Sequence, residues 1–238
     1  MRILLIGYGK MGRTIEQTAL AKGHEIIGKV AHDNAHELKD FTGANTDVAI
    51  EFTHPESAFG NVSYCLVHGI PVVSGSTGWL DRLEEAVALC LKKQGAFFYA
   101  SNYSVGVNLF FHFNEYIASK MKDYPEYSVS VREVHHLQKV DKPSGTGITA
   151  AEGILASYPN LKGWVSDNPE EKSKLNIISE RAPDVVGTHV VTYSSEIDQI
   201  ELGHVAHSRA GFAEGAVMAA EWLIGRQGIY GMKDMLNL

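Results

Sequence analysis

The first hundred residues alternate between short, continuous apolar runs and longer stretches in which apolar residues recur at helical spacing. Short runs of this kind are typical of strands buried on both faces of a parallel sheet, and the stretches between them predict helices. Strands that alternate with helices indicate an α/β domain with a Rossmann-like, doubly wound parallel sheet. The predicted strands are residues 2–6, 25–30, 48–52, 71–74 and 96–100, and the predicted helices are residues 11–22, 55–68 and 81–94.

The pattern changes after residue 105, where one apolar helix is followed by strand-like runs rich in β-branched residues. Pro and Gly separate these runs, and we expect hairpin-like connections between them. This part of the chain predicts an α+β domain with a mixed or antiparallel sheet. We expect the last helix to return to the first domain, which then comprises residues 1–105 and 211–238, with the second domain at 106–210. The predicted helices are residues 107–121, 148–158 and 212–225, the strands are 127–136, 174–180, 185–194 and 199–207, and a charged loop spans 167–174.

The composition of the 238 residues narrows the class of protein. An apolar fraction of 45% supports a real core, whereas the formal net charge of −7 argues against a nucleic-acid-binding surface as the main function. No apolar run approaches the roughly 18 residues of a membrane span, and the run at residues 3–6 is too short for a signal peptide. Cys65 and Cys90 lie in helix-like apolar stretches, which favours core residues in a reducing compartment. We therefore expect a cytoplasmic protein with no nucleic-acid or membrane partner.

A Gly-x-Gly-x-x-Gly motif directly follows the first predicted strand and opens the first predicted helix. In this context the first glycine allows a tight turn, the second lets the backbone approach a pyrophosphate, and the third permits close helix–strand packing. The motif therefore predicts a dinucleotide site, and the alternative is a glycine-rich turn that binds nothing. The predicted site residues are Gly7, Tyr8, Gly9, Lys10, Met11 and Gly12.

Asp33 follows the second predicted strand, about twenty residues after the last glycine of the motif. A carboxylate at this place would bind the adenine ribose hydroxyls of NAD, whereas the nearby cations Lys29 and His32 could accept the extra phosphate of NADP. The residues leave the choice between NADH and NADPH open. An ordinary loop carboxylate is the alternative interpretation of Asp33.

Two further polar loops follow the fourth and fifth predicted strands. Ligands bind at the carboxyl ends of the strands in doubly wound sheets, so these loops are candidates for contacts to a nicotinamide ribose or carboxamide. Each loop is also compatible with ordinary turn chemistry. The candidate residues are Gly75, Ser76 and Thr77 in the first loop and Ser101, Asn102, Tyr103 and Ser104 in the second.

Residues 133–146 place two imidazoles, two lysines and two carboxylates before a Ser-Gly-Thr turn, between a predicted strand and a predicted helix. The N-terminus of a helix offers free N–H groups and the positive end of the helix dipole, which suits an anion. A histidine can supply a proton near neutral pH. We therefore predict a site for a small carboxylated substrate that needs protonation, and the alternative is a solvated strand end before an ordinary helix cap. The candidate residues are His135, His136 and Lys139 with the donors of Ser144, Gly145 and Thr146.

Other classes of protein compete with this interpretation. A nicotinamide oxidoreductase that acts on another small carboxylate would share the architecture. A nucleotide-binding sensor would need no proton donor such as His135 or Lys139. A zinc hydrolase would use His135, His136, His204 and His207, but His204 and His207 have odd spacing on one predicted strand and no His-Glu-x-x-His motif or cysteine pair supports it. The sequence also lacks a P-loop and a Gly-x-Ser-x-Gly elbow.

The run Glu-Val-His-His-Leu-Gln-Lys-Val-Asp-Lys-Pro-Ser-Gly-Thr at residues 133–146 resembles the signature of the 4-hydroxy-tetrahydrodipicolinate reductase (dihydrodipicolinate reductase) family. Residues 75–78, 101–108 and 204–216 match further family segments in the right order, and the resemblance spans nearly the whole chain. It implies reduction of a cyclic dicarboxylate imine by NADH or NADPH, in the diaminopimelate branch of lysine synthesis. It also implies a homotetramer assembled through the second domain, which would bind the substrate.

The same resemblance implies roles for individual residues. His135 would be the catalytic acid/base and Lys139 the proton donor, while His136, Gly145 and Thr146 would hold the substrate. The nucleotide would lie on residues 7–12, 75–77 and 101–104.

Two positions depart from the family pattern. Residues 31–33 read Ala-His-Asp where an acidic residue usually follows the second strand directly, which affects the expected ribose contact. Lys142 stands where a small residue is usual and adds positive charge beside the anion loop.

Overall fold

The computed structural model describes residues 1–208 and 210–238, which form two structural units. The first unit comprises Met1–Val105 and Ala210–Leu238, and the second comprises Gly106–Arg209. Two 3-10 helices, Ala35–Asp40 and Leu80–Arg82, lie in the first unit. The other elements, in chain order, are β1 (Arg2–Ile6), α1 (Lys10–Ala21), β2 (Glu25–Val30), β3 (Val48–Glu51), α2 (Pro55–Val67), β4 (Val72–Ser74), α3 (Leu83–Lys93), β5 (Ala96–Tyr99), α4 (Val105–Met121), β6 (Ser128–His135), α5 (Gly145–Leu155), β7 (Trp164–Ser166), β8 (Leu175–Arg181), β9 (Gly187–Ser194), β10 (Gln199–Ala206), α6 (Ala210–Leu223), β11 (Gly228–Tyr230) and α7 (Met232–Leu236).

The first unit is a six-stranded parallel sheet in the order β11-β5-β4-β3-β1-β2, with helices on both faces. Successive residues of a strand point to opposite faces, and both faces of β1 are buried. Ile3 and Leu5 pack in a cluster with residues of α1 and α6, whereas Leu4 and Ile6 pack with residues of α2 and α3. This two-sided burial explains why the strands read as continuous apolar runs.

The second unit is a five-stranded mixed sheet in the order β10-β9-β6-β8-β7. The pairs β10–β9 and β9–β6 are antiparallel, whereas β6–β8 and β8–β7 are parallel. Alternate residues of β9 are buried, and Val191 and Tyr193 lie in one core cluster with Phe110 of α4 and Ile154 of α5. The helices therefore cover the face of the sheet onto which these alternate residues point.

The predicted fold class is confirmed, and most predicted elements lie within a few residues of the observed ones. The expectation that hairpin-like connections join the strands of the second domain is wrong for the first connection, because α5, the helix predicted at 148–158, lies between β6 and β8 and allows them to pair in parallel. The sequence prediction also missed β7, β11 and α7. Elements of three to five residues carry too few side chains for a periodic pattern to emerge.

Cys65 and Cys90 are both buried and form no disulfide, as expected for core residues. Among the described residues, no helix is long and apolar enough to cross a membrane.

Candidate active site

The glycine turn between β1 and α1 has the backbone that a close approach requires. Gly7 has φ +96°, and a Cβ added to it would collide with the carbonyl oxygen of Phe52. A Cβ added to Gly12 would collide with the carbonyl oxygen of Gly7, so the helix packs on the turn only because residue 12 is glycine. Two of the three motif positions, Gly7 and Gly12, therefore have no room for a side chain.

The N-terminus of α1 fits an anionic group such as a pyrophosphate. Gly9 is the N-cap residue, receives no side-chain hydrogen bond, and would have open space around an added Cβ. The first turn, which contains Lys10 and Met11, has no acidic residue. The free N–H groups and the positive end of the helix dipole are thus available to phosphate oxygens.

Tyr8, inside the motif, contacts a charged cluster. Its hydroxyl donates to the carboxylate of Glu16, which also forms a 2.6 Å ion pair with Lys29 at the end of β2. These two hydrogen bonds, first from Lys29 and then from Tyr8, lower the pKa of Glu16. The guanidinium of Arg13 lies 5.1 Å from the centre of the Tyr8 ring. Asp33 lies exposed in the turn after β2, whereas the carboxylate that pairs with Lys29 is Glu16.

Glu51, which the sequence analysis did not select, is a fully buried carboxylate at the end of β3. It accepts hydrogen bonds from the hydroxyls of Ser74 (2.6 Å) and Ser76 (2.8 Å) and from the N–H of Thr53 (3.0 Å). Glu51 thereby joins the loops that follow β3 and β4. A carboxylate inside a strand otherwise made of apolar residues was the available sequence signal.

Several residues predicted to bind the nucleotide have side chains that bond or pack inside the protein. The hydroxyl of Ser76 is used by Glu51, whereas Thr77 is exposed. Tyr103 is buried and donates its hydroxyl to the carbonyl of Ser74 at 2.7 Å, so its side chain belongs to the core. Asn102 accepts the N–H of Ser104 at 2.9 Å and shapes the loop after β5, in which Ser101 is exposed. An added Cβ at Gly75 would collide with the ring of Phe52.

In the second unit, Glu133 of β6 is a fully buried carboxylate that anchors the start of α5. It accepts the N–H of Ser144 at 2.9 Å and also the Ser144 hydroxyl. The Ser144 hydroxyl oxygen accepts the N–H of Gly147 at 3.0 Å and so caps the helix. The sequence prediction assigned these Ser144 donors to a substrate anion, but the fold uses them for Glu133.

His135, at the end of β6, is 6% exposed. Its ring centre lies 5.0 Å from that of His189 on β9, and its Nδ1 lies 4.0 Å from a Glu133 oxygen. Burial lowers the pKa of His135, and the negative charge of Glu133 acts in the opposite direction. The structure thus brings His135 together with His189, a partner that is 54 positions away in the sequence and that the sequence analysis did not identify.

Lys139 lies in the loop between β6 and α5. Its ammonium donates to both carboxylate oxygens of Asp141 at 2.8 Å, and this hydrogen bond lowers the pKa of Asp141. Arg181 of β8 donates to the carbonyl oxygens of Lys139 (3.2 Å) and Asp141 (2.6 Å). The loop is therefore held on the sheet by a side chain of a neighbouring strand.

The first turn of α5 offers the other predicted substrate contacts. Gly145 is exposed, Thr146 is half-buried, and the turn contains no acidic residue. Amides in the first turn of a helix have no carbonyl partner within the helix, so these N–H groups suit a carboxylate. His136 is half-buried beside this loop sequence. Lys142, the residue that departs from the family pattern, forms a 2.9 Å ion pair with Asp167, and this pair neutralises its charge.

Of the four histidines considered for a zinc site, only His135 belongs to a group with suitable spacing for a metal among the described residues. Within the described part of the chain, the group that could hold a metal ion consists of Glu133, His135 and His189. The guanidinium of Arg181 lies 3.8 Å from the Glu133 carboxylate, and a positive charge there disfavours a cation. His207 lies beyond the end of β10, so the predicted strand was one residue too long.

A parallel sheet with a glycine turn at its first strand, together with a second unit that carries a buried imidazole and a lysine, defines a nucleotide-dependent oxidoreductase. The family models described as dihydrodipicolinate reductase, N-terminus, and dihydrodipicolinate reductase, C-terminus, match residues 1–103 and 106–236. The chain therefore belongs to the dihydrodipicolinate reductase family, and the resemblance seen in the sequence is confirmed.

Individual relatives agree with this membership. The 4-hydroxy-tetrahydrodipicolinate reductase of Christiangramia forsetii is 50% identical over 238 residues, which cover 100% of this chain and 98% of that protein. The enzyme of the same name from Neisseria gonorrhoeae is 35% identical over 202 residues, which cover 82% of this chain and 74% of that protein. A dipicolinate-bound dihydrodipicolinate reductase structure from Paenisporosarcina sp. TG-14 superimposes with a TM-score of 0.80 at 23% identity, covering 98% of this chain and 99% of that chain. This last similarity concerns the fold.

Proposed function

We propose that this chain reduces 4-hydroxy-tetrahydrodipicolinate, via dihydrodipicolinate, to tetrahydrodipicolinate, in the synthesis of diaminopimelate and lysine. Family membership over the whole chain supports the reaction. The observation that carries its chemistry is the short segment from the end of β6 to the start of α5, which contains His135, Lys139 and the first-turn N–H groups of α5.

The first unit holds the nucleotide in this proposal. The N–H groups at the start of α1 bind the pyrophosphate, and Gly9 lets the backbone approach it, while Gly7 and Gly12 allow the tight turn and the close packing of α1 on that turn. The exposed Thr77 and Ser101 are the side chains of the two further loops that remain available for contacts. A reduced nicotinamide, when bound, supplies the hydride. Both NADH and NADPH are proposed cofactors. In this proposal Asp33 and the Glu16–Lys29 pair lie near the adenine ribose, which carries the extra phosphate in NADPH.

The second unit holds the dicarboxylate. The N–H groups of Gly145 and Thr146 donate to one carboxylate, and Lys139 and His136 supply further donors. Ser144 acts indirectly in this scheme, because its N–H and hydroxyl fix the helix start through Glu133. Ser144 is therefore a positioning residue, which revises its predicted role as a substrate contact.

Lys139 and His135 are the proposed proton-transfer residues. Lys139 carries its proton in the ion pair with Asp141 and can release it toward a developing negative charge on the substrate nitrogen. Burial lowers the pKa of His135, so the His135 ring is neutral over much of the neutral pH range and accepts or returns a proton as the acid/base.

A homotetramer in the cytoplasm is part of the proposal. Strand β10 forms an edge of the second sheet and exposes Ile200 and Val205, which suit contact with another copy of the chain. Light scattering should then give about four times the 26.1 kDa mass of one chain, whereas a monomer mass would contradict the assembly.

The direct test is oxidation of NADH and NADPH, followed by the absorbance of the reduced nicotinamide, with freshly generated 4-hydroxy-tetrahydrodipicolinate. We expect rapid oxidation that depends on this substrate, and the ratio of the two rates gives the cofactor preference. Binding of NADH without any oxidation would contradict the proposed reaction.

A further inference from the structure

Glu133 is a fully buried carboxylate whose positive and ionisable neighbours lie beyond hydrogen-bond distance. Among the described residues, these neighbours are Arg181 Nη1 at 3.8 Å, His189 Nε2 at 3.7 Å and His135 Nδ1 at 4.0 Å. Burying a charge in this way is costly unless hydrogen bonds compensate, and Ser144 provides two of them.

The Glu133 carboxylate occupies space that a side chain at position 147 of α5 would need. A Cβ added to Gly147 would lie 2.6 Å from Glu133 Oε2. The helix therefore approaches Glu133 as closely as it does only because residue 147 is glycine.

The sheet register places the imidazoles around Glu133. His189 is the partner of Glu133 across β6 and β9, and His135 lies two residues further along β6 on the same face. On its other side, His135 is bounded by Gly187, where an added Cβ would lie 3.3 Å from His135 Nε2. The His135 ring is therefore enclosed between Gly187 and the Glu133 carboxylate.

Hydrogen bonding determines the tautomer of His189. The hydroxyl of Ser144 donates its hydrogen to Glu133 and accepts the N–H of Gly147, and His189 Nε2 lies 3.3 Å from the same oxygen. His189 must then donate from Nε2, because the single Ser144 hydrogen is already used. Burial and the nearby His135 lower the pKa of His189 to about 4, so His189 is a neutral donor near pH 7.

His135 is in a different situation. Its Nδ1 is buried, has no hydrogen-bond partner among the described residues, and faces the Glu133 carboxylate. Protonation at Nδ1 would place a positive charge 4.0 Å from a negative one.

We propose that Glu133, held by Ser144 and His189, is a positioning residue that orients the His135 ring and stabilises its protonated form. The inference rests on the proposed function in one respect, namely that His135 exchanges protons with the substrate. Glu133 itself acts through His135 and need not touch the substrate.

Other charged groups also face His135. Asp141 favours the protonated ring, whereas Lys139 and Arg181 oppose it, and burial opposes it most strongly. Because Glu133 is the strongest of the groups that favour protonation, removing its charge should lower the pKa of His135. An opposite charge at this distance typically changes a pKa by about one unit or more.

The test is an NMR titration of the His135 ring in the free protein, for wild type and Glu133→Gln, with kcat measured over the same pH range. We expect the pKa of His135 to fall by about one unit or more in Glu133→Gln. Glu180→Gln is the matched control, since Glu180 is an exposed carboxylate paired with Arg132 on the same sheet, and it should leave the titration unchanged. An unchanged pKa in a folded Glu133→Gln protein overturns the proposal.

A second pair of variants tests the network if Glu133→Gln does not fold. Ser144→Ala removes a donor to the charged carboxylate, so the pKa of His135 should rise, and a fall or no change overturns the proposal. His189→Gln keeps an N–H donor and should retain more kcat than His189→Phe, whereas equal losses count against the proposal. The titration needs no substrate, so an inactive wild-type protein would disprove the proposed function and leave this inference testable by itself.

Discussion

Single buried carboxylates organise both candidate sites. Glu51 collects donors from the loops after β3 and β4, and Glu133 collects donors from the start of α5. Each carboxylate holds together segments that are distant in the sequence. Neighbouring polar residues, such as Ser76 and Ser144, are consequently used inside the fold and are not free for a ligand.

At the scale of single residues, the variant His135→Gln should impair catalysis without impairing nucleotide binding. We expect kcat to fall by about 10²–10⁴-fold, because general acid–base help is lost, while the Kd of NADH stays near that of wild type. Lys139→Ala should show the same separation. Turnover kinetics and NADH titration measure the two quantities, and His68→Gln, an exposed histidine of the first unit, is the control. Near wild-type kcat in His135→Gln would remove His135 from the acid/base role.

At the scale of elements, the contact between α5 and β6 depends on a helical glycine. An alanine usually stabilises a helix relative to glycine by about 0.5–1 kcal/mol, because the unfolded chain loses less entropy. At residue 147, however, an added Cβ would lie 2.6 Å from a Glu133 oxygen. The cost of this clash outweighs the gain in helix stability, because the buried carboxylate has little room to move.

Gly147→Ala should therefore destabilise the protein by about 1–3 kcal/mol, the range observed for overpacked sites. Gly60→Ala is the matched control in α2, where an added Cβ meets nothing within 4 Å, and it should be neutral or stabilising. Urea unfolding monitored by circular dichroism compares the two. A stabilised Gly147→Ala protein would show that α5 can shift away from β6 at little cost.

At the scale of the whole molecule, burial of neutral histidines makes stability depend on pH. The pKa of His189 is lowered from its ordinary 6.5 to about 4, and that of His135 is lowered as well. A group whose pKa is lower in the folded state contributes full stability above its unfolded pKa and loses it as the pH falls toward the folded pKa. The relevant window is therefore pH 6.5 to about 4.

We expect the protein to lose about 3 kcal/mol of unfolding free energy through His189 across this window, at about 1.4 kcal/mol per pKa unit. The measurement is urea unfolding at pH 7 and pH 4.5 for wild type and His189→Phe, which should show a weaker pH dependence. His32→Gln, an exposed histidine, should follow wild type. Equal pH dependence in wild type and His189→Phe would show that His189 is not buried in its neutral form.

The amino-acid sequence by itself determined the local elements of this protein. Continuous apolar runs, helical spacing and the glycine turn depend on neighbouring residues, so they predicted the parallel sheet and the segment that contains His135 and Lys139. The signature at 133–146 also identified the family, because its residues are contiguous.

Only the tertiary structure decided which distant residues meet. His189 reaches His135 through the pairing of β9 with β6, and a shift of one residue in that register would turn His189 to the other face of the sheet. The roles of Glu51 and Ser144 likewise depend on donors and acceptors from other elements. The short strands β7 and β11 are formed by pairing with longer neighbours, since three residues contain no pattern that would predict them.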